Sequence, residues 1–285
     1  MNCQVCGGNK HLFFCNKDNH DIFRCCACGL LFVHPMPSVD SIYVEEYFGG
    51  EKFGSYVDYE EDKKAMVKTF QQYLALLHKT SPKAKRLLDI GAATGFFVNQ
   101  ASESGYEAEG IEISQTICGE AQKMGRRVRQ GTLGFLAEST LLQSFDIVTM
   151  WDVIEHLPDL SKCFIELKRL LPAGGILLVN TPDAGSLWAR LFSTKWHSIV
   201  PPEHVLWFNK KNLTLFLEQQ GFEVLLTRTS YKKFTLQYIV NMLYRWQKLR
   251  VWKYIGGVLN RSFLGRLAIP LPLGDNMIIL ARRVK

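Results

Sequence analysis

Hydrophobic and polar positions follow two alternating patterns through the middle of the chain. Short apolar runs predict buried strands at residues 86–92, 108–113, near 128, 145–151, 175–181, 222–229 and 277–283. Between them, apolar residues spaced three or four apart predict helices at residues 96–104, 114–124, 160–171 and 213–220. Strands that alternate with helices favour a mainly parallel sheet with helices on both faces. The pattern therefore predicts an α/β fold for most of the chain.

The first 83 residues follow other patterns. Residues 1–36 are rich in cysteine and turn residues and show no helical period. Residues 37–83 predict a linker and then an amphipathic helix at residues 59–78, which Pro82 ends. We therefore expect a small ribbon at residues 1–36, a linker with a helix, and a main domain at residues 84–285.

The charge of the chain is concentrated at one end. The 285 residues are 47 % hydrophobic and 21 % charged, with a net charge of +7, which argues against a disordered chain. Residues 231–285 hold eleven Lys and Arg against one acid, whereas the rest of the chain holds 23 against 26. No run of about 18 apolar residues predicts a spanning helix, and the first residues lack the apolar part of an export signal. We expect a cytoplasmic protein with reduced cysteines.

Four of the eight cysteines have the spacing of a metal site. The pattern Cys3-x2-Cys6-x18-Cys25-x2-Cys28 contains two CxxC pairs, each followed by a glycine where a tight turn needs a permissive backbone. Cys26 could replace Cys25, although CxC spacing fits less well. Four thiolates form a closed tetrahedral zinc site, so we expect structural Zn²⁺ that stabilises this segment without taking part in chemistry.

A loop of small residues links the first predicted strand of the main domain to its helix. The segment LLDIGAATGFF places small residues at 91–93 and 95, where a ligand can lie against the backbone. The spacing is neither GxGxxG nor GxxxxGK[ST], which disfavours a dinucleotide or a nucleoside triphosphate. Glu112 ends the next predicted strand, 21 residues after Gly91, where a carboxylate can bind both hydroxyls of a ribose.

Four motifs in order resemble those of the class I S-adenosylmethionine-dependent methyltransferases. LLDIGAATGFF is similar to the first motif and EGIEIS to the acidic end of the second strand. FDIVTMWDVIEHLPD is similar to the fourth strand with its loop, and LKRLLPAGGILLVNTPD to the helix, turn and fifth strand that follow. The resemblance covers residues 86–230, and MIILARR would supply a last, antiparallel strand. It implies a Rossmann-like seven-stranded sheet, with S-adenosylmethionine as the cofactor.

The resemblance also implies a cofactor site. The loop would approach the cofactor with its backbone, Glu112 would bind the ribose hydroxyls, and Ile113 would pack on adenine. Ala93 departs from the family, which often has glycine there, and we expect binding to survive because alanine is the smallest alternative. Trp151 would flank the sulfonium, or it could pack only on the sheet edge. The implied cofactor residues are Asp89, Gly91, Ala92, Ala93, Gly95, Phe96, Glu112, Ile113, Thr132, Leu133, Trp151 and Asp152.

Three histidines are candidates for the general base. Residues 184–208 form a long aromatic segment after the fifth strand, and insertions here commonly cover the acceptor in the superfamily. His204, in PPEHVLWF, is the first candidate because a neutral imidazole titrates near the operating pH. It could instead bond backbone carbonyls in the lid. His197 is the second candidate, and His156 is expected more in the wall of the site.

The N-terminal segment narrows the resemblance. Four cysteines ending in CxxCGLxF resemble a bacterial subgroup associated with sugar, polysaccharide and lipid-linked glycan pathways, and the core also resembles quinone O-methyltransferases. We therefore expect methyl transfer to a hydroxyl or carbon of a sugar, glycan or isoprenoid-type acceptor. The alternative is an RNA methyltransferase that grips RNA with the ribbon and the tail. The ribbon argues against it, because residues 1–36 hold three Lys and Arg against two acids.

A basic and aromatic insertion is predicted at residues 231–272. Its stretch LQYIVNMLYRWQ has apolar residues at helical spacing. Basic and aromatic residues on one amphipathic segment suit an anionic membrane surface, so residues 231–268 are a candidate for peripheral contact at the inner membrane face. The alternative, which is somewhat favoured, is that the segment packs on the core with its basic face in solvent, and a nucleic-acid contact stays less favoured.

Overall fold

The computed structural model describes residues 1–38, 60, 63, 66–138, 144–231, 233–247, 249–259, 262–270 and 274–284. Most of residues 59–65, the first part of the predicted helix at 59–78, lies outside the described residues. The predicted insertion at residues 231–272 is described in part.

The cysteine-rich segment forms a small antiparallel sheet. In this sheet β1 (His11–Lys17) pairs with β2 (His20–Cys25), and β2 pairs with β3 (Leu31–Val33). A fourth strand, β9 (Leu206–Trp207), comes from much later in the chain and pairs antiparallel with β3. The end of the expected lid at residues 184–208 therefore shares a sheet with the ribbon.

A seven-stranded sheet forms the centre of the larger domain. Six strands run in the same direction, and the antiparallel β13 lies between β8 and β10, as the resemblance implies. The order is β10-β13-β8-β7-β4-β5-β6. The strands are β4 (Arg86–Ile90), β5 (Glu107–Glu112), β6 (Val128–Gln130), β7 (Ile147–Trp151), β8 (Ile176–Pro182), β10 (Phe222–Ser230) and β13 (Asn276–Arg283).

The predicted helices are present with small shifts at their ends. The helix predicted at residues 213–220 begins earlier, because Asn209 and Asn212 form a reciprocal capping box at its start. The helices are α1 (Val67–Thr80), α2 (Phe96–Glu103), α3 (Gln115–Lys123), α4 (Leu133–Glu138), α5 (Leu160–Leu170), α6 (Leu187–Phe192), α7 (Lys210–Gln219), α8 (Leu236–Gln247) and α9 (Arg250–Leu259).

Alternate residues of the central strands point into two separate cores. Leu88 and Leu177 belong to the core that contains Phe164 of α5 and Phe216 of α7. Their chain neighbours, including Leu87, belong to the core on the other face, which α1 and α2 cover. A strand buried on both faces needs apolar residues at successive positions, which explains the continuous apolar runs in the sequence.

In the sequence, a helical hairpin is inserted between β10 and β13. Its helices, α8 and α9, are joined to the sheet through a two-stranded ladder of β11 (Lys233–Thr235) and β12 (Ala268–Pro270). The predicted helix in LQYIVNMLYRWQ is confirmed as α8. In the part of the chain that the structure describes, no helix has the length and apolar character to cross a membrane.

Candidate functional site

A cavity of about 290 Å³ lies at the carboxyl ends of β4, β5 and β7. Ligands bind at this edge of parallel α/β sheets, where the strand order reverses. Four of the implied cofactor residues, Asp89, Ala92, Gly95 and Phe96, are buried without lining the cavity. The residues implied by the sequence that line it are Gly91, Ala93, Glu112, Ile113, Thr132, Leu133, Trp151, Asp152 and His156.

The loop after β4 depends on residues without large side chains. Gly91 has a φ of +67°, and a Cβ there would come within 2.6 Å of Val153. Ala93 has a φ of +47°, a left-handed conformation that costs alanine about 1–2 kcal/mol. Its backbone N–H donates to Glu112 at 2.9 Å, and this hydrogen bond helps to hold the strained conformation. The departure from glycine is therefore tolerated at an energetic cost.

Glu112 is presented to the cavity by two backbone hydrogen bonds. It is buried, and each of its oxygens accepts one N–H at 2.9 Å, from Ala93 and from Ser114. Burial raises the pKa of Glu112, and these backbone donors oppose the rise. A carboxylate oxygen has two lone pairs, so each oxygen keeps one for a ribose hydroxyl. The residue fits its implied role.

Asp89 joins two strands behind the loop. The Thr149 hydroxyl of β7 donates to Asp89 Oδ1 at 2.6 Å. Burial raises the pKa of Asp89 to about 7, against the opposing effects of the Thr149 hydrogen bond and the Lys63 charge. A positively charged ligand at the loop would favour ionisation of this carboxyl.

Trp151 both lines the cavity and packs in an aromatic cluster. Its ring centroid lies 5.0 Å from that of Phe70 and 4.9 Å from that of Phe97. Its indole N–H is buried and has no hydrogen-bond partner among the described residues. The two interpretations from the sequence, cofactor contact and edge packing, are therefore compatible. A buried donor beside a cavity fits a polar ligand.

Several residues of the cavity were not among the site residues expected from the sequence. Lys63 comes from the segment before α1, and the others come from the ends of β4 and β5, the turn after β6, and the turn and helix after β7. Glu60 holds the loop from the same N-terminal segment, because it accepts from Thr94 at 2.5 Å and forms a bidentate ion pair with Arg126. The lining residues outside the expected set are Lys63, Ile90, Ile111, Gly131, Val153, Leu157, Pro158, Asp159, Lys162, Cys163 and Glu166.

Two of the three candidate histidines lie together. The ring centroids of His156 and His204 are 4.7 Å apart, and His156 lines the cavity. Nδ1 of His156 is 2.6 Å from the Glu203 carbonyl, and Nδ1 of His204 is 2.8 Å from the Ser198 carbonyl. A carbonyl only accepts, so Nδ1 donates in both rings. In the neutral rings Nε2 is then the basic nitrogen.

His197 has a different partner. Its Nε2 lies 3.4 Å from Asp275 Oδ2, which also accepts the indole N–H of Trp196 at 3.0 Å. His197 is not among the residues that line the cavity. The geometry therefore favours the other two histidines for a role beside the cavity.

The four cysteines with paired spacing converge. The sulfur atoms of Cys3, Cys6, Cys25 and Cys28 all lie within 4.8 Å of one another, whereas Cys26 is exposed and outside the group. Cys3 and Cys28 are 3.6 Å apart, close to the roughly 3.8 Å expected between thiolates on one tetrahedral zinc. The Cys28 thiol lowers the pKa of Cys3 to about 5, whereas the hydrogen bond with Cys3 and burial raise the pKa of Cys28. This donor set fits a metal ion.

The ribbon touches the cavity wall directly. Gln4, inside the first CxxC pair, donates to the Pro158 carbonyl at 2.8 Å and accepts from the Leu160 N–H at 2.9 Å. Pro158 lines the cavity. A residue of the cysteine knuckle thus fixes the loop that follows the 3₁₀ turn Ile154–His156.

The comparisons with known proteins agree with this site. Residues 61–227 match a family model described as a methyltransferase domain. The ubiquinone biosynthesis O-methyltransferase of Methylococcus capsulatus is 27% identical over 155 residues, which are 50% of this chain and 64% of that protein. The enzyme of the same name from Paraburkholderia phymatum is 32% identical over 104 residues, 34% of this chain and 44% of that protein. The chain thus spans less than two thirds of these curated relatives.

A solved structure shows the same fold. The S-adenosylmethionine-dependent methyltransferase of Archaeoglobus fulgidus superposes with a TM-score of 0.55 at 18% identity, over 84% of this chain and all of that one. The sheet, the loop and the acidic residue at the end of β5 define a class I methyltransferase domain. The family model covers more than half of the chain, and the protein belongs to the S-adenosylmethionine-dependent methyltransferase family.

The raised pKa of Asp89 predicts a pH-dependent stability. Between the unfolded pKa of 3.8 and the folded pKa of about 7, the native state binds more protons than the unfolded state. The free energy of unfolding therefore falls as the pH rises through this range. Asp89→Asn keeps an oxygen for Thr149 and removes the titration, so it should be more stable than the wild type at about pH 8, by on the order of 1–4 kcal/mol.

Urea unfolding at about pH 5 and pH 8 measures this difference. Asp18→Asn, in the exposed turn between β1 and β2, is the control and should keep the pH dependence of the wild type. An Asp89→Asn protein whose stability changes with pH as the wild type does would contradict the prediction.

Proposed function

We propose that the protein transfers the methyl group of S-adenosylmethionine to a hydroxyl or carbon of a sugar, glycan or isoprenoid-type acceptor. The observation that carries this proposal is the contact of His156 and His204 at the wall of the cofactor cavity. A neutral imidazole pair can take the proton that an acceptor hydroxyl loses. The names of the relatives, ubiquinone biosynthesis O-methyltransferases, favour a hydroxyl.

The residues of the cavity divide the work of binding and alignment. When bound, S-adenosylmethionine supplies a methyl group already activated by its sulfonium. Glu112 accepts from the ribose hydroxyls, and the backbone of Gly91 and Ala93 lets the cofactor approach closely. Trp151 and Asp152 offer an aromatic face and a carboxylate, both of which favour a cation nearby. The protein must then align the methyl acceptor and remove its proton.

The proton acceptor is assigned to the histidine pair. His204 is the proposed general base, with its Nδ1–H held by the Ser198 carbonyl so that Nε2 is basic. His156 stands at the cavity wall with the same tautomer and contacts the His204 ring edge-on.

Two variants separate binding from chemistry. Glu112→Ala removes the carboxylate that accepts hydrogen bonds from the ribose hydroxyls. It should weaken S-adenosylmethionine binding at least tenfold, as measured by calorimetry. His204→Ala should bind the cofactor normally and lose about 10²–10⁴-fold in turnover with an acceptor found by screening. Glu107→Ala, an exposed residue at the start of β5, is the control and should change neither quantity.

The outcomes test different parts of the proposal. Absence of S-adenosylmethionine binding by the wild type would overturn the enzyme function. Unchanged turnover in His204→Ala would reject His204 as the base, and the same measurement on His156→Ala would then show whether the other ring takes the proton.

We further propose that the four-cysteine cluster binds one structural zinc ion. The convergence of the four sulfur atoms supports it. Four protein thiolates fill the tetrahedral shell, so no position is left for substrate. Through Gln4, the bound metal would also stabilise the Pro158 loop of the cofactor cavity.

Removal of one zinc ligand should therefore weaken cofactor binding at the cavity. Elemental analysis of the wild type should find about one zinc per chain. Cys28→Ser should lose the metal, lower the melting temperature and weaken S-adenosylmethionine binding, although no cysteine of the cluster lines that cavity. Cys15→Ser, outside the cluster, should keep zinc and affinity. A wild-type protein with much less than one zinc would end the proposal.

We also propose that the α8–α9 hairpin contacts anionic membranes. Val251, Tyr254 and Val258 form a stripe along α9, with 54%, 77% and 56% of each residue exposed. Arg250 and Lys253 are exposed on the same helix, and residues 231–268 contain eight Lys and Arg and no acid. An exposed apolar stripe next to positive charge suits the boundary of an anionic bilayer.

Charge reversal on α9 should abolish this contact. The wild type should float with phosphatidylserine-containing vesicles at low salt, and the double variant Arg250→Glu/Lys253→Glu should not, because each cation contributes on the order of 1 kcal/mol. Lys79→Glu/Lys83→Glu, at the end of α1, is the charge-matched control and should float. If the wild type stays unbound, or if both double variants bind equally, the hairpin is not a membrane surface.

A further inference from the structure

A second, larger cleft lies beyond β8, outside the cofactor cavity. Its volume is about 460 Å³. Four parts of the chain form it: the second cysteine knuckle, the loop and helix after β8, the start of α7, and the end of β10 with the turn before β13. Its lining residues are Cys28, Asp183, Gly185, Ser186, Leu187, Arg190, Asn209, Lys210, Lys211, Thr229 and Gly274.

Positive charge dominates this cleft. Arg190 of α6 and the adjacent Lys210 and Lys211 of α7 supply three cations from two elements. Asp183 is the one carboxylate among the lining residues, and it is buried and engaged. It accepts the Gly185 N–H at 2.8 Å and lies 3.9 Å from Lys210 Nζ. The lining residues therefore carry two more positive than negative charges.

The start of α7 adds backbone donors to these cations. The capping box uses the backbone N–H groups of Asn209 and Asn212. The N–H groups of the first helical residues, Lys210 and Lys211, have no acceptor within the helix. The ten-residue helix also places the positive end of its dipole here. Free N–H groups together with cationic side chains suit a phosphate more than a neutral ligand.

The cleft lies where an acceptor would extend from the cofactor. The strand β7 ends at Trp151 in the cofactor cavity, and β8, its neighbour, ends at Pro182, directly before Asp183 in the cleft. The Asp152 N–H donates to the Asn180 carbonyl of β8 at 2.9 Å, which joins the two strand ends. Neighbouring strands are about 5 Å apart. The cavity and the cleft therefore lie at the ends of neighbouring strands.

The ribbon and the expected lid both contribute walls. Cys28 lines the cleft, and its carbonyl accepts from the Asn212 side chain at 3.4 Å. Gly185 to Arg190 belong to the segment 184–208 that the sequence predicts to cover the acceptor. The ribbon and the segment 184–208 therefore meet at one cationic cleft.

We propose that this cleft binds a phosphate or diphosphate group of the methyl acceptor. The inference rests on the proposed function and deepens it: the acceptor is phosphorylated, and its reacting hydroxyl or carbon extends from the cleft to the cofactor cavity. Arg190, Lys211 and the start of α7 bind the phosphate oxygens. These residues determine which acceptor is bound and take no part in the methyl transfer itself.

The test measures pyrophosphate binding to the full chain by calorimetry at low salt. The wild type should bind it, and Lys211→Gln and Arg190→Gln should each weaken binding about tenfold, the loss of one charge-assisted hydrogen bond. Lys79→Gln, an exposed lysine of α1, is the matched control and should bind like the wild type. S-adenosylmethionine affinity, measured on every variant, should not change and serves as the test of correct folding.

Two organic diphosphates then identify the source of the phosphate. Uridine diphosphate represents a nucleotide-linked acceptor and geranyl diphosphate a prenyl-linked one. Tighter binding of either, relative to pyrophosphate, supports an acceptor site. Equal affinity for all three would show a site for free anions and overturn the acceptor role.

Failure of this proposal is distinct from failure of the proposed function. Pyrophosphate that does not bind, or that binds Lys211→Gln and Arg190→Gln as well as the wild type, would overturn the phosphate site. If S-adenosylmethionine bound normally in that case, the methyltransferase function would stand. Pyrophosphate bound at the cleft without any S-adenosylmethionine binding would overturn the function and leave an anion site.

Discussion

The pairing of β3 with β9 is the constraint on which the arrangement of the site depends. The Val33 N–H donates to the Val205 carbonyl, and the Val205 N–H donates to the Glu155 carbonyl, so a continuous series of backbone hydrogen bonds joins the ribbon to the 3₁₀ turn that carries His156. His204 precedes this strand, and α7 begins just after it. One short strand therefore sets the positions of the histidine pair and of the cationic cleft, and the ribbon supplies its partner strand.

The sequence predicted the central sheet well because burial on both faces leaves a local signal. Leu87 and Leu88 enter different cores, and such neighbours produce the apolar runs. The loop, Glu112 and the four cysteines were also predictable from the sequence, because their chemistry depends on spacing along the chain. The two-residue strand β9 and the contribution of Lys63 to the cavity were not, because they arise from contacts between distant segments and have no period.

Two strained residues stand at the cavity. Ala93 and Asp152 both have positive φ, at +47° and +55°, and both line the cofactor cavity. Such conformations cost roughly 1–3 kcal/mol each and persist only when the surrounding structure enforces them. Glu112 enforces the first through its hydrogen bond, and the bond from Asp152 to β8 enforces the second. These hydrogen bonds fix the Ala93 backbone and the Asp152 residue in place before any ligand binds, which reduces the entropy cost of ordering the site on binding.

The pairing of the ribbon with β9 also has a consequence for the order of events during synthesis. The edge of β3 leaves the ribosome early, whereas its partner strand is complete only once Trp207 has been made. At about 5–20 residues per second, the ribbon spends on the order of 10–30 s with an open edge. An unpaired strand edge invites association with other chains. Early capture of a metal by the cysteines would keep the nascent ribbon compact during that interval, so metal supply during translation would influence the yield of folded enzyme.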